Sequence, residues 1–117
     1  MALLSKSEIL AADDRKTVSV DVPEWGGTVE IAVMPGWARD EYEGMLVARG
    51  TKKGLPANLR ARYVSYCVVD EKGDLMFTMA DLEALGKKSS VALDRIFEAA
   101  SILNGTSPDG MDEIAKN

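Results

Sequence analysis

From Leu93 to Leu103 the apolar residues Leu93, Ile96, Phe97, Ala100 and Leu103 recur at spacings of three and four. That is one stripe along a helix of about 14 residues, and a stripe of that width has to be covered. Ser89 or Ser90 stands at its start as an N-cap, and Asn104-Gly105 ends it. Leu93, Phe97 and Ala100 are therefore expected to be structural. The residues just before this helix carry equally clear punctuation. Thr78 is an N-cap candidate with Asp81 as a weak capping-box partner. Leu82 and Leu85 then face one way, and Gly86 offers a left-handed stop. Further upstream, Val68-Val69 and Leu75-Met76-Phe77 flank Asp70-Glu71-Lys72-Gly73-Asp74, where Gly73 can take the positive φ that closes a type I turn with a bulge.

The first half of the chain reads differently. Ser5-x-x-Glu8 is a capping box opening a short amphipathic turn through Ile9-Leu10-Ala11-Ala12, and Asp13-Asp14-Arg15-Lys16 breaks it. Val18, Val20 and Val22 alternate with polar residues, Val29, Ile31 and Val33 repeat the pattern, and Pro23-Glu24-Trp25-Gly26-Gly27 supplies the turn. Residues 17–34 thus read as a β-hairpin, which needs a helix or a further strand over its apolar face. Trp25 at the tip is a candidate partner anchor; the alternative is a ring folded back over the turn glycines. After Pro35-Gly36 a helix runs from Trp37 to about Arg49, with Trp37, Met45 and Leu46 able to share a face beside Ala38 or Tyr42, and with Gly44 as a weak point. Pro56 suits another helix start, and Asn58 to Val69 carries Leu59, Tyr63 and Tyr66-Cys67 on one stripe. Together these signals describe an α+β fold, mostly helical, with an N-terminal β-hairpin and a short extended and turn segment near residues 69–77. Residues 1–105 are expected to form one domain, and 106–117 a mobile or weakly helical C-terminal tail.

Composition narrows the chemistry. There is no histidine in the 117 residues, which removes Ser-His-Asp and Cys-His catalysis and His-containing zinc and haem sites. The single Cys67 cannot form an internal disulfide, fits a reducing compartment, and sits in an apolar run that marks it as core. Gly26-Gly27 and Gly50-x-x-x-Gly54 lack the endings of a phosphate loop. The Asp70–Asp81 stretch fails as a calcium loop, because Leu75 stands where glycine is needed and Lys72 where an oxygen ligand is needed. Asp13-Asp14, Asp40-Glu41 and Asp112-Glu113 lie in polar stretches that would not raise a carboxyl pKa for acid–base work. The expectation is a protein that is not an enzyme and has no cofactor. No apolar run approaches the ~20 residues of a membrane span, and no signal-peptide layout opens the chain.

One charge feature stands out. The net charge is −5, yet between Gly44 and Val69 there are Arg49, Lys52, Lys53, Arg60 and Arg62 and no acidic residue. Such a patch can steer an acidic partner, or be a solvated loop in an acidic protein. No aromatic interleaves with Arg49, Lys52 and Lys53, and a pI near 4.7 argues against nucleic acid as the partner.

The ordered series Val69-Asp70-Glu71-x-Gly73, Leu75-x-Phe77-Thr78, Asp81-Leu82, Leu85, Lys88-Ser89, Leu93-x-Arg95-Ile96 and Leu103-Asn104-Gly105 resembles the tail assembly chaperones of long-tailed, non-contractile bacteriophages, and is most similar to the lambdoid-phage version. The resemblance is clearest over residues 61–105. It implies a chaperone of the host cytoplasm that binds the tape measure protein, a long helical polypeptide, keeps it soluble and delivers it to the tail tube protein. It also implies a homo-oligomer coating that client, and a second, longer product made by a −1 ribosomal frameshift. Ala115-Lys116-Asn117 can be encoded by a slippery run of the required form. A structural or adaptor protein retained in the virion is the alternative. A chaperone needs a broad, adaptable apolar surface, which Met76 and Met79 can supply unless they merely fill the core.

Overall fold

A computed structural model describes residues 2–49 and 57–105 of the chain. The alternating valines form β1 (Thr17–Val22) and β2 (Gly27–Ala32), antiparallel, with Val18 opposite Ile31 and Val20 opposite Val29. Opposed residues share a face, so one side of the hairpin is apolar, and Val22 and Ile31 on it are fully buried. The turn is a single 3₁₀ turn at Pro23–Trp25, closed by Gly26 at φ 74°. Val33, the third apolar position of the second run, lies beyond β2, where its N–H donates to Lys16 O at 3.0 Å.

The helix on which the fold is built is α5 (Ser90–Asn104), packed over β1 and β2 on one side and α3 on the other. Ser89 caps it, its hydroxyl accepting from the N–H groups of Val91 and Ala92, and Gly105 ends it at φ 71°. Leu93, Ile96 and Ala100 are buried, as the stripe requires, with Phe97 and Leu103 half-buried against the same core. Ala92, Ser101 and Asn104 are buried too, which widens the covered face. α2 (Gly36–Arg49) joins the core through Ala38 and half-buried Tyr42, whereas Trp37 is 60% exposed and only its ring edge approaches Tyr66. At that exposure Trp37 is not a core residue of that face. Tyr42, Tyr63 and Phe97 form an aromatic cluster, the first pair edge-to-face and the second tilted, with centroids 5.0 and 4.8 Å apart, binding α2, α3 (Leu59–Ser65) and α5 together.

The expected helix from Asn58 to Val69 stops at Ser65. The N–H groups of Tyr66 and Cys67 donate to Tyr63 O and Val64 O, and the chain leaves the helix with Tyr66 to Val69 still buried. Val68 and Val69 form β3, which adds to β2 with Ile31 opposite Val68, giving a three-stranded antiparallel sheet in the order β1-β2-β3. Two adjacent β-branched residues gain more from a sheet ladder than from a last helical turn. The Asp70–Asp74 turn closes as expected, with Gly73 at φ 84° and Asp70 Oδ1 accepting from the N–H groups of Lys72 and Asp74. The return strand pairs back, Leu75 bridging Val69 and the Met76 N–H donating to Val68 O at 3.0 Å.

Thr78 and Asp81 form a full capping box over a 3₁₀ turn that runs into α4 (Leu82–Gly86). Gly86 does not take the left-handed conformation expected of it. Its value is space: a Cβ there would run into Asn58 Oδ1. Asn58, at φ 56°, is the residue that does turn left-handed, immediately before α3. The capping box at Ser5 and Glu8 also forms, opening α1 (Lys6–Ala11). Lys52, Lys53, Pro56 and the 106–117 tail lie outside the described residues, as does the side chain of Arg49.

Candidate functional site

Two exposed apolar side chains, Met76 and Met79, lie on the segment Leu75–Met79, on either side of which a groove opens. In extended backbone, successive side chains point to opposite sides, so Met76 and Phe77 part company. Met76, 49% exposed, stands over the outer face of the sheet, in a groove of about 480 Å³ shared with Thr28 and Val69 and rimmed by Glu30, Asp70 and Glu71. Phe77 lines the other groove, of about 320 Å³, with Trp25, Ala84 and Leu85, and with Asp81 and Lys88 at its edge.

Trp25 reaches this second groove because the hairpin tip is tied down. Arg95 of α5 donates to both carboxylate oxygens of the neighbouring Glu24, at 2.8 and 3.0 Å. The Arg95 hydrogen bonds hold the Glu24 carboxyl below its ordinary pKa. Such a bidentate pair has a fixed geometry, which sets the position of the tip. Trp25, only 38% exposed, thus stands beside Phe77 and Leu85, and that explains its placement better than a ring turned back onto glycine. Met79, 47% exposed, lies elsewhere again, where its Sδ accepts a hydrogen bond from Arg62 Nη1 at 3.5 Å. Both methionines are surface residues and not core filling.

Of the five basic residues between Gly44 and Val69, two are described in full, and both are tied to the fold. Arg60 pairs with Asp94 of α5 and lies 5.9 Å over the Phe97 ring, and Arg62 bonds Met79. The structure does not bring them together with the Trp25 groove. Cys67 is fully buried, and burial pushes its thiol up to about 12, which makes it inert. Burial also raises the Tyr66 hydroxyl, which donates to Glu41 at 2.8 Å, so these groups form a structural hydrogen bond. Among the described residues no three metal-ligating side chains converge, and no helix is long and apolar enough to cross a membrane. The role of Phe77, Ala84 and Leu85 as one groove wall was not legible beforehand. Their separation from Met76 follows only from the pairing of Leu75 with Val69.

Fold and surface together define a small α+β domain whose distinctive chemistry is apolar contact. The solved structure of the bacteriophage HK97 tail assembly chaperone is similar to it, with a TM-score of 0.57 and 17% identity, covering 84% of this chain and 92% of that one. At that identity the likeness establishes a shared fold. No family model and no curated protein matches the sequence.

Proposed function

We propose that the protein is a phage tail assembly chaperone, acting in the host cell and without catalysis of its own. The observation that carries this is the fold, shared with the HK97 chaperone over most of both chains. It agrees with the ordered residue series at 69–105 that resembles the same family. The client in this reading is the tape measure protein, held soluble until the tail tube polymerises around it. The Met76 groove is the proposed contact: a flexible thioether above an apolar patch, rimmed by carboxylates, suits a helix with one apolar face and a basic flank. Met79, on a separate surface beside Arg62, is a second proposed contact.

Co-expression with the tape measure protein of its own phage tests the reading. The soluble fraction of the client should rise and a complex should survive size exclusion. A client that stays insoluble at stoichiometric excess, with no complex, overturns it. Met76→Glu with Met79→Glu should weaken the complex while leaving the far-UV spectrum unchanged. Mass spectrometry of purified tails separates a chaperone that leaves from a structural protein that stays. A frameshifted longer form, with residues 106–117 as its linker, belongs to the same proposal. A Lys116 codon reading AAG removes that slip site, and an immunoblot showing only the 12.6 kDa species argues against any extended form.

A further inference from the structure

Of the two edges of the sheet, only one is finished. On the β3 side the return segment closes the edge, with Leu75 bridging Val69 and the Met76 N–H donating to Val68 O. On the other side β1 has no neighbouring strand. The ladder shows which of its backbone groups face outward. The Val33 N–H donates to Lys16 O and the Ala32 N–H to Cys67 O, so along 27–33 odd-numbered residues face β1 and even-numbered ones face β3. With Val18 opposite Ile31, the valines at 18, 20 and 22 direct their N–H and C=O groups to β2. Thr17, Ser19 and Asp21 point theirs away from the sheet. None of these six groups meets a hydrogen-bond partner among the described residues.

A strand edge is ordinarily blunted by proline, lysine, a bulge or a covering element. β1 has none of these. Its six residues contain neither proline nor lysine, they pair one to one with β2, and the chain before them, residues 2–14, is exposed throughout. The side chains then set what kind of strand fits. On the face that packs against α5, Val18 is 36% exposed and Val20 half-buried, so apolar surface runs uncovered along the edge. On the outer face Thr17, Ser19 and Asp21 are all exposed, with Glu30 of β2 behind Ser19 and accepting from its hydroxyl at 2.6 Å. A strand added here needs small β-branched residues at alternate positions and hydroxyl or cationic residues between them. A second β1 lacks the cation, because its matching positions are Thr17, Ser19 and Asp21 again.

We infer that β1 is a docking edge for an extended segment of another protein, alternating apolar and basic, which adds to the sheet as a further antiparallel strand. Backbone hydrogen bonds at Thr17, Ser19 and Asp21 hold it, and Val18, Val20 and Asp21 select its side chains. The inference goes beyond the chaperone reading and does not rest on it: the Met76 groove suits a helix, the β1 edge a strand.

The probe is the peptide acetyl-Gly-Lys-Val-Thr-Val-Lys-Gly-amide, whose lysines fall opposite Asp21 and Thr17 in antiparallel register and whose threonine falls opposite Ser19. Amide hydrogen exchange of the full chain, followed by NMR, reads the edge and its occupation together. Without peptide, the N–H groups of Val18, Val20 and Val22 should be protected and those of Thr17, Ser19 and Asp21 should exchange readily. At about 5 mM peptide the latter three should slow about sixfold or more, for a Kd of about 1 mM or tighter. N-methylating the central threonine of the peptide leaves the protein untouched and should weaken binding about tenfold. Ser19→Pro removes the same pairing from the other side, and because that N–H faces solvent the far-UV spectrum should not change. Replacing both peptide lysines with glutamate should weaken binding about fivefold. No slowing at Thr17, Ser19 and Asp21, or binding indifferent to N-methylation, overturns the proposal. Protection of the same three amides that rises with protein concentration alone would make the occupant a second copy, and overturns it as well.

Discussion

Replacing Asn104 with alanine should cost far more than a substitution at the last residue of a helix ordinarily does. The side chain is 92% shielded by difference from its 8% exposure, and it ties three parts of the chain together. Its Oδ1 accepts from the Met34 N–H at 2.9 Å, and its Nδ2 donates to Ala100 O at 2.8 Å while lying 3.6 Å from Cys67 Sγ. Its backbone carbonyl accepts from Arg39 Nη1 at 3.2 Å. Met34 is itself 4% exposed, so Asn104→Ala leaves a buried N–H without a partner, at a cost of about 1–3 kcal/mol. The better helix propensity of alanine returns about 0.5 kcal/mol. The net expectation is a loss of about 1.5 kcal/mol in urea denaturation followed by far-UV circular dichroism. Asn104→Asp sharpens the test. It keeps the acceptor for Met34 but turns an oxygen toward Ala100 O, which a protonated carboxyl satisfies and an ionised one does not. The folded-state pKa of that carboxyl then lies above its unfolded value of about 3.9. Its stabilising effect is complete below the unfolded value and is lost as pH rises through the folded one, so the variant should fall further behind the wild type between about pH 4 and 7. An Asn104→Ala variant within about 0.5 kcal/mol of wild type, or an Asn104→Asp variant that gains on wild type as pH rises, would refute the account.

Gly86→Ala should destabilise by about 1–3 kcal/mol, because the new methyl meets Asn58 Oδ1, and Asn58→Gly should restore most of the loss by removing that side chain at a left-handed position. A loss that Asn58→Gly leaves untouched would place the strain elsewhere. Phe97→Ala should cost about 3 kcal/mol, the low end for a phenylalanine, since the ring is half-buried between Tyr63 and Arg60; a stable variant that lost only client binding would make Phe97 a contact residue. Cys67 should resist thiol reagents at pH 8 until the protein is unfolded, its thiol lying near 12 in the fold; rapid labelling under native conditions would contradict its burial.

What the sequence determined by itself was local. The Ser5–Glu8 and Thr78–Asp81 boxes, the Ser89 cap, the positive φ of Gly73 and Gly105, and the α5 stripe are all set within a few residues, by hydrogen bonds and periodicities the chain carries wherever it goes. The mostly helical α+β character followed from them. Tertiary structure decided everything that needed a partner distant in sequence. Val68-Val69 left the helix for the sheet because β2 offered a ladder about 37 residues away, as the Ile31–Val68 pairing shows. Gly86 was needed for closeness to Asn58 and not for its own dihedral angles. Asn104 reads as a helix-ending residue, yet its amide reaches 70 residues back to Met34. The candidate site divides in the same way. Trp25, Met76 and Met79 are contact candidates in the sequence, each with a folded-back or core-filling alternative, but their exposure, and which groove Trp25 and Met76 line, depend on the Leu75–Val69 bridge and the Glu24–Arg95 clamp. Side chains separated by tens of residues become neighbours only when burial of the α5 stripe brings hairpin and helix together, and no local pattern encodes that meeting.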